Sequence, residues 1–461
     1  MSGFGAKWGE SYAPSGILEV LYRGQIVYSR VFGKADRTTG TAPTPSTQFR
    51  IGSLTKQFTA AAILKLAEQG ALKIDEPAKK YVTELPDAFK DVTIDQLLHQ
   101  TSGIPSYTED EALTKRKKDQ VPEADILAWF GKQSPRFAPG AKWAYSNSNY
   151  YLLSVVAERA SKKPIDQLLK ELVLDPAGMK ATSATASTGA LALGYRRSAS
   201  SALVPADVVS SSLPLGAGFL FSTAGDLALW DEALNGTKVL SDASKNKMWS
   251  IGLHNYGMGW MIDVSHKTAV AWHNGQIDGY SAYFARAPEK GVAVIFLSNV
   301  VDFDATKPGR DVLDMALGGA PIAPIVERDT VAMDDAFAKS LAGDYKLLPE
   351  SEEALRKKGA PDALVSSVLG FTFTAADGGL TGKPSGQESL VFLRAPDGSV
   401  FNPAVGVDIV PDFGGAKAAK TLQMKQGELA LSYTRGKYEK PKAKDKEPAP
   451  GPAADPTKKA H

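Results

Sequence analysis

The spacing of apolar and polar residues changes several times along this chain. Near the start, Ile17 to Tyr22 and Gln25 to Gly33 are rich in β-branched and aromatic residues and are parted by Arg23-Gly24, which reads as a hairpin. After Ser53 the period lengthens. Phe58, Ala61, Ala62, Leu64, Leu66 and Ala67 recur at roughly helical spacing, with Gly70 as a stop. Residues 75 to 260 read as mostly helical, with long loops rich in Pro, Gly and Ser. Thr268 to His273, Tyr280 to Ala287 and Val292 to Ser298 return to strand. Strands at both ends with helices between them predict one sheet built from the two ends of a domain.

The pattern shifts again at Gly318-Gly319-Ala320-Pro321. Beyond it, short strand-like runs such as Phe371 to Thr374, Leu390 to Leu393 and Leu429 to Tyr433 alternate with Gly, Asp and Pro turns. Pro349 to Leu369 reads as a helical insertion. The expected fold is α/β (α+β): an antiparallel sheet flanked by helices with a helical lobe over 16–320, then a smaller antiparallel β-barrel-like domain over 338–438. The Lys-, Pro- and Ala-rich tail over 440–461 is expected to be disordered.

Composition narrows the function classes. The 461 residues suffice for two or three domains, and 43% apolar with 23% charged is ordinary globular usage. A net charge of +2 argues against nucleic acid as a main partner. The absence of cysteine excludes disulfides and thiolate metal sites, and the five scattered histidines form no paired metal motif, so neither metal nor cofactor is expected. No apolar run is long enough to span a membrane. Met1 to Ser15 lacks the basic and apolar regions of a signal peptide, which leaves either a cytoplasmic protein or one whose leader is missing. The run Lys115-Arg116-Lys117-Lys118 reads first as a solvated face, and secondly as a border of a substrate entrance.

Three short motifs carry chemistry. Ser53-Leu54-Thr55-Lys56 places a hydroxyl and an amine one helical turn apart, so Lys56 can reach Ser53. The backbone N–H of Ser53 falls among the unpaired donors of a helix start, where an oxyanion is stabilised. The same residues also suit a plain N-cap with a solvated lysine. A chain of this length holds about two Ser-x-x-Lys matches by chance, and a second, Ser244 to Lys247, lies in a polar run with no apolar helix built on it. Tyr145-Ser146-Asn147 follows a turn and precedes a helix read over Tyr150 to Ala160. Tyr145, sharing its proton with Lys56, whose positive charge is expected to favour the phenolate, can serve as base for Ser53, and the Asn147 amide can grip a substrate amide. A buried tyrosine and an asparagine N-cap explain this motif equally well. His273-Asn274-Gly275 closes an apolar strand. Gly275 admits a substrate backbone to the strand edge, and the Gln276 N–H becomes a second oxyanion donor. His273 can bind a carboxylate, steady the Tyr145 phenol or be structural, and His99 reads as structural.

The order Ser-x-x-Lys, Tyr-x-Asn, His-x-Gly resembles the penicillin-recognising serine hydrolases: class C β-lactamases, D-alanyl-D-alanine carboxypeptidases, D-aminopeptidases and related esterases. Phe49 to Ser53, Leu97 to Gly103 (with Gln100 where histidine is usual), Phe137 to Asn147 and Gly218 to Asp226 support the resemblance, which covers about residues 16 to 310. It implies that Ser53 is acylated, that Lys56 and Tyr145 move its proton and later activate water, and that Asn147 holds the substrate amide. His273 then replaces the lysine of the usual Lys-Thr-Gly, as in D-peptidases and esterases more than in efficient β-lactamases. The resemblance also implies β-barrel domains like those appended to some members, and favours a periplasmic or secreted location.

The leading expectation is an enzyme cleaving an ester or amide, most simply a D-amino-acid peptide or a carboxylic ester, through an acyl-serine. Its partner is a small-molecule or peptide substrate. The alternatives are a penicillin-binding or peptidoglycan sensor that deacylates slowly, and a β-lactamase. Neither oligomeric state nor substrate identity is readable.

Overall fold

The computed structural model describes residues 15–187, 191–198, 202–319, 331–357, 359–360, 362–376, 379–385, 389–402, 406–426 and 429–437. They form two compact units, one running through residue 319 and one starting at residue 331. The tail over 440–461 lies outside the described residues.

The first unit is built on a six-stranded antiparallel sheet: β1 (Gly16–Tyr22), β2 (Gln25–Phe32), β3 (Met261–Ser265), β4 (Thr268–Ile277), β5 (Tyr280–Ala287) and β6 (Val292–Ser298). The strand order is β2-β1-β6-β5-β4-β3, so β1 pairs with β6 from Gly16↔Ser298 to Tyr22↔Val292 and joins the two ends of the unit. Alternate residues face opposite sides. Ala293, Ile295 and Leu297 of β6 point into the main core, whereas Val294 and Phe296 point to the other face. Both faces are covered, which is why β5 and β6 are buried along their whole length. Each fully buried aliphatic or aromatic side chain of this kind stabilises by roughly 1.5–3 kcal/mol.

On the main face lie α1 (Thr55–Glu68), α2 (Asn147–Ser161) and α3 (Ala224–Asn235). On the opposite face lies α4 (Thr306–Ala316), whose Val312 and Leu313 pack on Val294 and Phe296. Helix α1 is central, with its residues from Thr55 to Leu64 all buried, so its polar groups need partners. Gln57 Oε1 accepts from Trp230 Nε1 at 3.1 Å, and Thr59 Oγ1 donates to the Gly216 carbonyl at 2.8 Å. Arg286 of β5 donates through Nε to Asp231 Oδ1 at 2.8 Å and so ties α3 to the sheet.

Several expectations need adjustment. The strand read as ending at His273 continues to Ile277, and Asp278-Gly279 then makes the turn, with Gly279 at φ +84°. The helix read from Tyr150 begins at Asn147. Edge strand β3 was not read at all. Its Asp263 and Ser265 dilute the apolar signal, as befits a strand paired on one side only. The region 75 to 260 also contains short strands, of which Phe221–Ser222 matters most, because it pairs with Phe49–Arg50 immediately before Ser53.

The second unit is a closed, eight-stranded antiparallel barrel running from Gly343–Leu347 to Leu429–Arg435. The last strand returns to the first through Tyr345↔Arg435 and Leu347↔Tyr433. Phe371, Phe373, Phe392 and Tyr433 cluster inside, with the Phe371 and Phe373 ring centroids 4.9 Å apart. Side chains fill a barrel of this size. Helices Pro349–Lys357 and Asp362–Val368 occupy the segment read as a helical insertion.

Candidate active site

Ser53 sits in a single 3₁₀ turn, Gly52–Leu54, that feeds directly into α1. The turn is fixed from behind. Ile51 N donates to the Leu220 carbonyl at 3.1 Å, which extends the Phe49–Arg50 pairing to the brink of the serine. It is also fixed from in front by β4. Gly52 has φ +50°, and a Cβ there would lie 2.8 Å from Gln276 N. A Cβ on Gly275 would overlap the Ile51 carbonyl oxygen and lie 3.1 Å from Ser53 N. These two positions accept no side chain, and that brings the backbone of Gly275-Gln276 against the backbone of Ser53.

Lys56 lies one turn into the helix and is completely buried. Its Nζ is 3.0 Å from Ser53 Oγ, 2.8 Å from Asn147 Oδ1 and 2.8 Å from the Ala217 carbonyl oxygen. Burial pushes the Lys56 ammonium well below its ordinary pKa. An ammonium fills all three contacts with its three N–H groups, and the neutral amine toward which burial pushes Lys56 fits them too. In the neutral form, two N–H groups serve the two obligate acceptors, Asn147 Oδ1 and Ala217 O, and one lone pair is left for the Ser53 hydroxyl proton. The Tyr145 hydroxyl donates to Ser53 Oγ from another side at 2.8 Å, and its ring centroid lies 4.9 Å from Lys56 Nζ. Burial raises the Tyr145 phenol above its ordinary pKa, which outweighs the lowering effect of the Ser53 hydrogen bond. The expectation that a nearby cation would favour a phenolate meets the opposite balance here, because desolvation disfavours both charged forms.

Asn147 starts α2. Its Nδ2 donates to Thr108 Oγ1 at 3.2 Å and its backbone N to Ser106 Oγ at 3.1 Å, so the 104–108 loop is clamped on the helix start. Gln100, at φ +60°, supports the same region. Its Oε1 accepts from Ser146 N at 3.0 Å and from Asn149 Nδ2 at 2.6 Å.

His273 is buried and near Tyr145, with ring centroids 6.1 Å apart, but both its nitrogens are engaged elsewhere. Nδ1–H donates to the Asn274 carbonyl at 2.5 Å, and Nε2 accepts from the Tyr256 hydroxyl at 3.2 Å. Burial, reinforced by Lys56, depresses its pKa to about 3. A neutral ring with both nitrogens occupied offers no cation to a carboxylate.

Other motifs resolve differently. Ser244 lies in the helix Asp242–Met248, where its N donates to the Ser241 N-cap at 3.2 Å, and it shares no hydrogen bond with the Ser53 cluster among the described residues. His99 binds the Asp95 carbonyl and carboxylate at 3.1 and 3.2 Å, one turn back on its own helix. Three residues of sequence-distant segments escaped the sequence reading: Tyr256, Thr108 and Ala217. The run Gly216-Ala217-Gly218 was the available signal for Ala217, because small residues permit close backbone approach.

A cleft of about 330 Å³ opens beside Ser53, lined by Asn147, Thr108, Lys117, Gln276 and Asp278 among others. Among the described residues, no helix is long and apolar enough to cross a membrane.

Comparison with known proteins fits this architecture. The chain is 29% identical over 290 residues to the putative penicillin-binding protein PbpX of Bacillus subtilis, covering 62% of this chain and 71% of that protein. It is 29% identical over 314 residues to penicillin-binding protein 4* of the same organism, covering 63% and 69%. Among solved structures, the octameric penicillin-binding protein homologue from Pyrococcus abyssi superposes with a TM-score of 0.62 at 22% identity, over 91% of this chain and 96% of that one. The D-amino acid amidase from Ochrobactrum anthropi SV3 superposes with a TM-score of 0.55 at 23% identity, over 66% and 93%. The model of the family described as Beta-lactamase matches residues 4–317, well over half of the 461, and the chain therefore belongs to the beta-lactamase family.

Proposed function

We propose that this protein is a serine hydrolase that cleaves an ester or amide through an acyl-serine intermediate. The observation that carries the reading is the convergence of Lys56 Nζ, at 3.0 Å, and the Tyr145 hydroxyl, at 2.8 Å, on Ser53 Oγ. In the scheme, neutral Lys56 takes the Ser53 proton as Oγ bonds to the substrate carbonyl carbon. The carbonyl oxygen becomes an oxyanion between Ser53 N–H and Gln276 N–H, the two backbone groups that Gly52 and Gly275 bring together. Collapse breaks the bond to the leaving group, which takes the Tyr145 proton, and Lys56 returns its proton to Tyr145. Water then attacks the acyl carbon and gives a proton to the same pair; collapse breaks the bond to Ser53 Oγ, which takes that proton back as the carboxylic acid leaves. Asn147 Nδ2 holds the acyl amide or carbonyl. Neutral His273 keeps β4 and Tyr256 in register rather than binding an anion.

The penicillin-binding relatives and the amidase neighbour support D-amino-acyl amides and esters as the substrate class. The test is labelling with a serine-reactive phosphonate, followed by mass spectrometry and a hydrolysis panel of p-nitrophenyl esters, D-amino-acid amides, D-Ala-D-Ala peptides and nitrocefin. The expected result is a label on Ser53, lost in Ser53→Ala and retained in Ser244→Ala, with turnover of an ester or amide. A label on Ser244 overturns the assignment. Stoichiometric acylation without turnover supports the slow-deacylating sensor instead.

A further inference from the structure

Most of the surface that the cleft beside Ser53 presents is apolar. Tyr107, Val209, Leu213, Pro214 and Ile277 border it. Its volume of about 330 Å³ lies at the small end for ligand pockets, which span roughly 300–1,000 Å³. Among the described residues that line it, only Lys117 and Asp278 are charged, and they bind each other, with Lys117 Nζ 2.7 Å from Asp278 Oδ2. The rest of the basic run 115–118 has partners of its own. Lys115 pairs with Glu111 at 2.9 Å, Arg116 with Asp125 at 2.8 Å and Lys118 with Asp207 at 2.7 Å.

The Lys117–Asp278 pair joins two segments that are distant in sequence. Asp278 follows β4 and stands two residues beyond Gln276, which at strand rise is roughly 7 Å past the Gln276 N–H. Lys117 lies on a loop stitched to the segment that supplies Val209, Leu213 and Pro214. Ser210 N donates to the Lys117 carbonyl at 2.8 Å, and Val121 N donates to Ser212 Oγ at 2.9 Å. The ion pair thus ties two sides of the cleft together at a set distance from Ser53. The cleft faces the acyl half of a substrate, because Asn147 and Gln276 line it and Tyr145, which serves the leaving group, does not. A charged group entering here has two courses. It displaces one member of the pair and leaves the other uncompensated, or it gives up its hydration to apolar walls. A methyl end does neither.

We propose that the cleft selects acyl groups whose far end is apolar and uncharged, and that the Lys117–Asp278 pair sets how long they can be. This rests on the acyl-serine reading above and adds the polarity and length of its substrate. Each methylene that reaches the apolar walls should raise kcat/KM by about threefold to fourfold. The gain stops where the chain meets the ion pair.

The experiment uses unbranched p-nitrophenyl esters from acetate to decanoate, with two of the optimal length ending in carboxylate or ammonium. The quantity read is kcat/KM for p-nitrophenol release relative to the acetate ester, which reports acylation even where deacylation is slow. The expected profile rises from acetate to an intermediate length and falls beyond it. Both charged esters should lie about tenfold or more below the methyl-ended ester of equal length. Lys117→Ala and Asp278→Ala should each move the optimum to longer chains. A flat length profile, a charged ester equal to or above its methyl-ended counterpart, or an optimum unchanged in either variant overturns the inference while the acetate ester still acylates Ser53. If no ester acylates Ser53, the acyl-serine reading falls, and this inference with it.

Discussion

The Tyr256 hydroxyl donates to Nε2 of His273 across 3.2 Å. With Nδ1–H bound to the Asn274 carbonyl, this fixes a neutral ring, and burial holds its pKa at about 3 against an ordinary 6.5. The His273 ring signals should therefore stay constant in an NMR titration from about pH 5 to 8, where free histidine titrates. Between pH 6.5 and about 3 the unfolded chain binds a proton that the native ring refuses, so stability falls as pH falls through this window. His273→Asn should flatten that part of the urea-midpoint profile. Tyr256→Phe leaves a buried acceptor unpaired and should cost about 1–3 kcal/mol. A His273 titration near pH 6.5 would contradict the buried neutral ring.

Lys56 and Tyr145 divide the proton work between them, and their variants should separate. Tyr145→Phe should lower kcat by roughly 10²–10⁴-fold with a smaller change in KM. Lys56→Met should be at least as harmful. It gives up three hydrogen bonds but also relieves the burial of an amine, so the melting temperature should move by only a few degrees. Because burial depresses the Lys56 pKa, kcat/KM should rise with pH as the ammonium deprotonates, and that limb should disappear in the residual activity of Lys56→Met. Near-normal kcat in Tyr145→Phe on an amide substrate would leave Lys56 as sole base.

Gly275→Ala places a methyl against the Ile51 carbonyl and 3.1 Å from Ser53 N. Neither neighbour is a flexible side-chain end, so β4 must move off the nucleophile turn. The expected cost is about 1–3 kcal/mol in stability. Ser53 acylation should slow by well over tenfold, since a 1 Å displacement of catalytic groups costs about 10²-fold. Stopped-flow acylation with a small ester measures this, and an unaffected rate would remove the oxyanion role given to this strand edge.

Ser53, Lys56, Tyr145, Asn147 and the Gly275-Gln276 edge all lie before residue 277, and the barrel has its own closed hydrogen-bond ladder and aromatic interior. A chain ending near Glu327 should fold and still acylate Ser53 with a small ester, while its rate on larger substrates is free to change. The measurement is active-serine titration of the truncated protein after circular dichroism has shown it folded. A folded protein that acylates with no ester would place part of the catalytic centre after residue 327.

Much of this arrangement was legible because it is written locally. The Ser53–Lys56 pair is a matter of helical spacing, and the alternation in β5 and β6 declares their pairing even though their partners lie far away. Edge strand β3 was not legible, since its polar residues carry little period-2 signal. Nor were Tyr256 as the partner of His273 or Ala217 as an acceptor for Lys56, and the 115–118 run, read secondly as a border of a substrate entrance, gave no sign that Lys117 is the member that lines the cleft. Each depends on which distant segments meet, and a lone tyrosine, a small residue in a one-turn helix and one of three lysines in a basic run carry no periodic mark of that. The direction of the Tyr145 shift was misjudged for a related reason. The sequence shows that a cation is near, but desolvation depends on how completely the fold encloses the group.

The pairing of β1 with β6 also bears on synthesis. The serine and lysine leave the ribosome early, but Asn147 is 91 residues and Ala217 is 161 residues further along the chain than Lys56, and the sheet closes only when Gly16 meets Ser298. Contacts this far apart form late. A nascent chain stalled before residue 276 already carries Ser53, Lys56 and Tyr145 but lacks Gln276 and the β5 and β6 strands that close the sheet behind the nucleophile turn, and should acylate slowly. The rate of covalent labelling of Ser53 thus serves as a clock for maturation, rising once the chain has emerged far enough to complete the sheet.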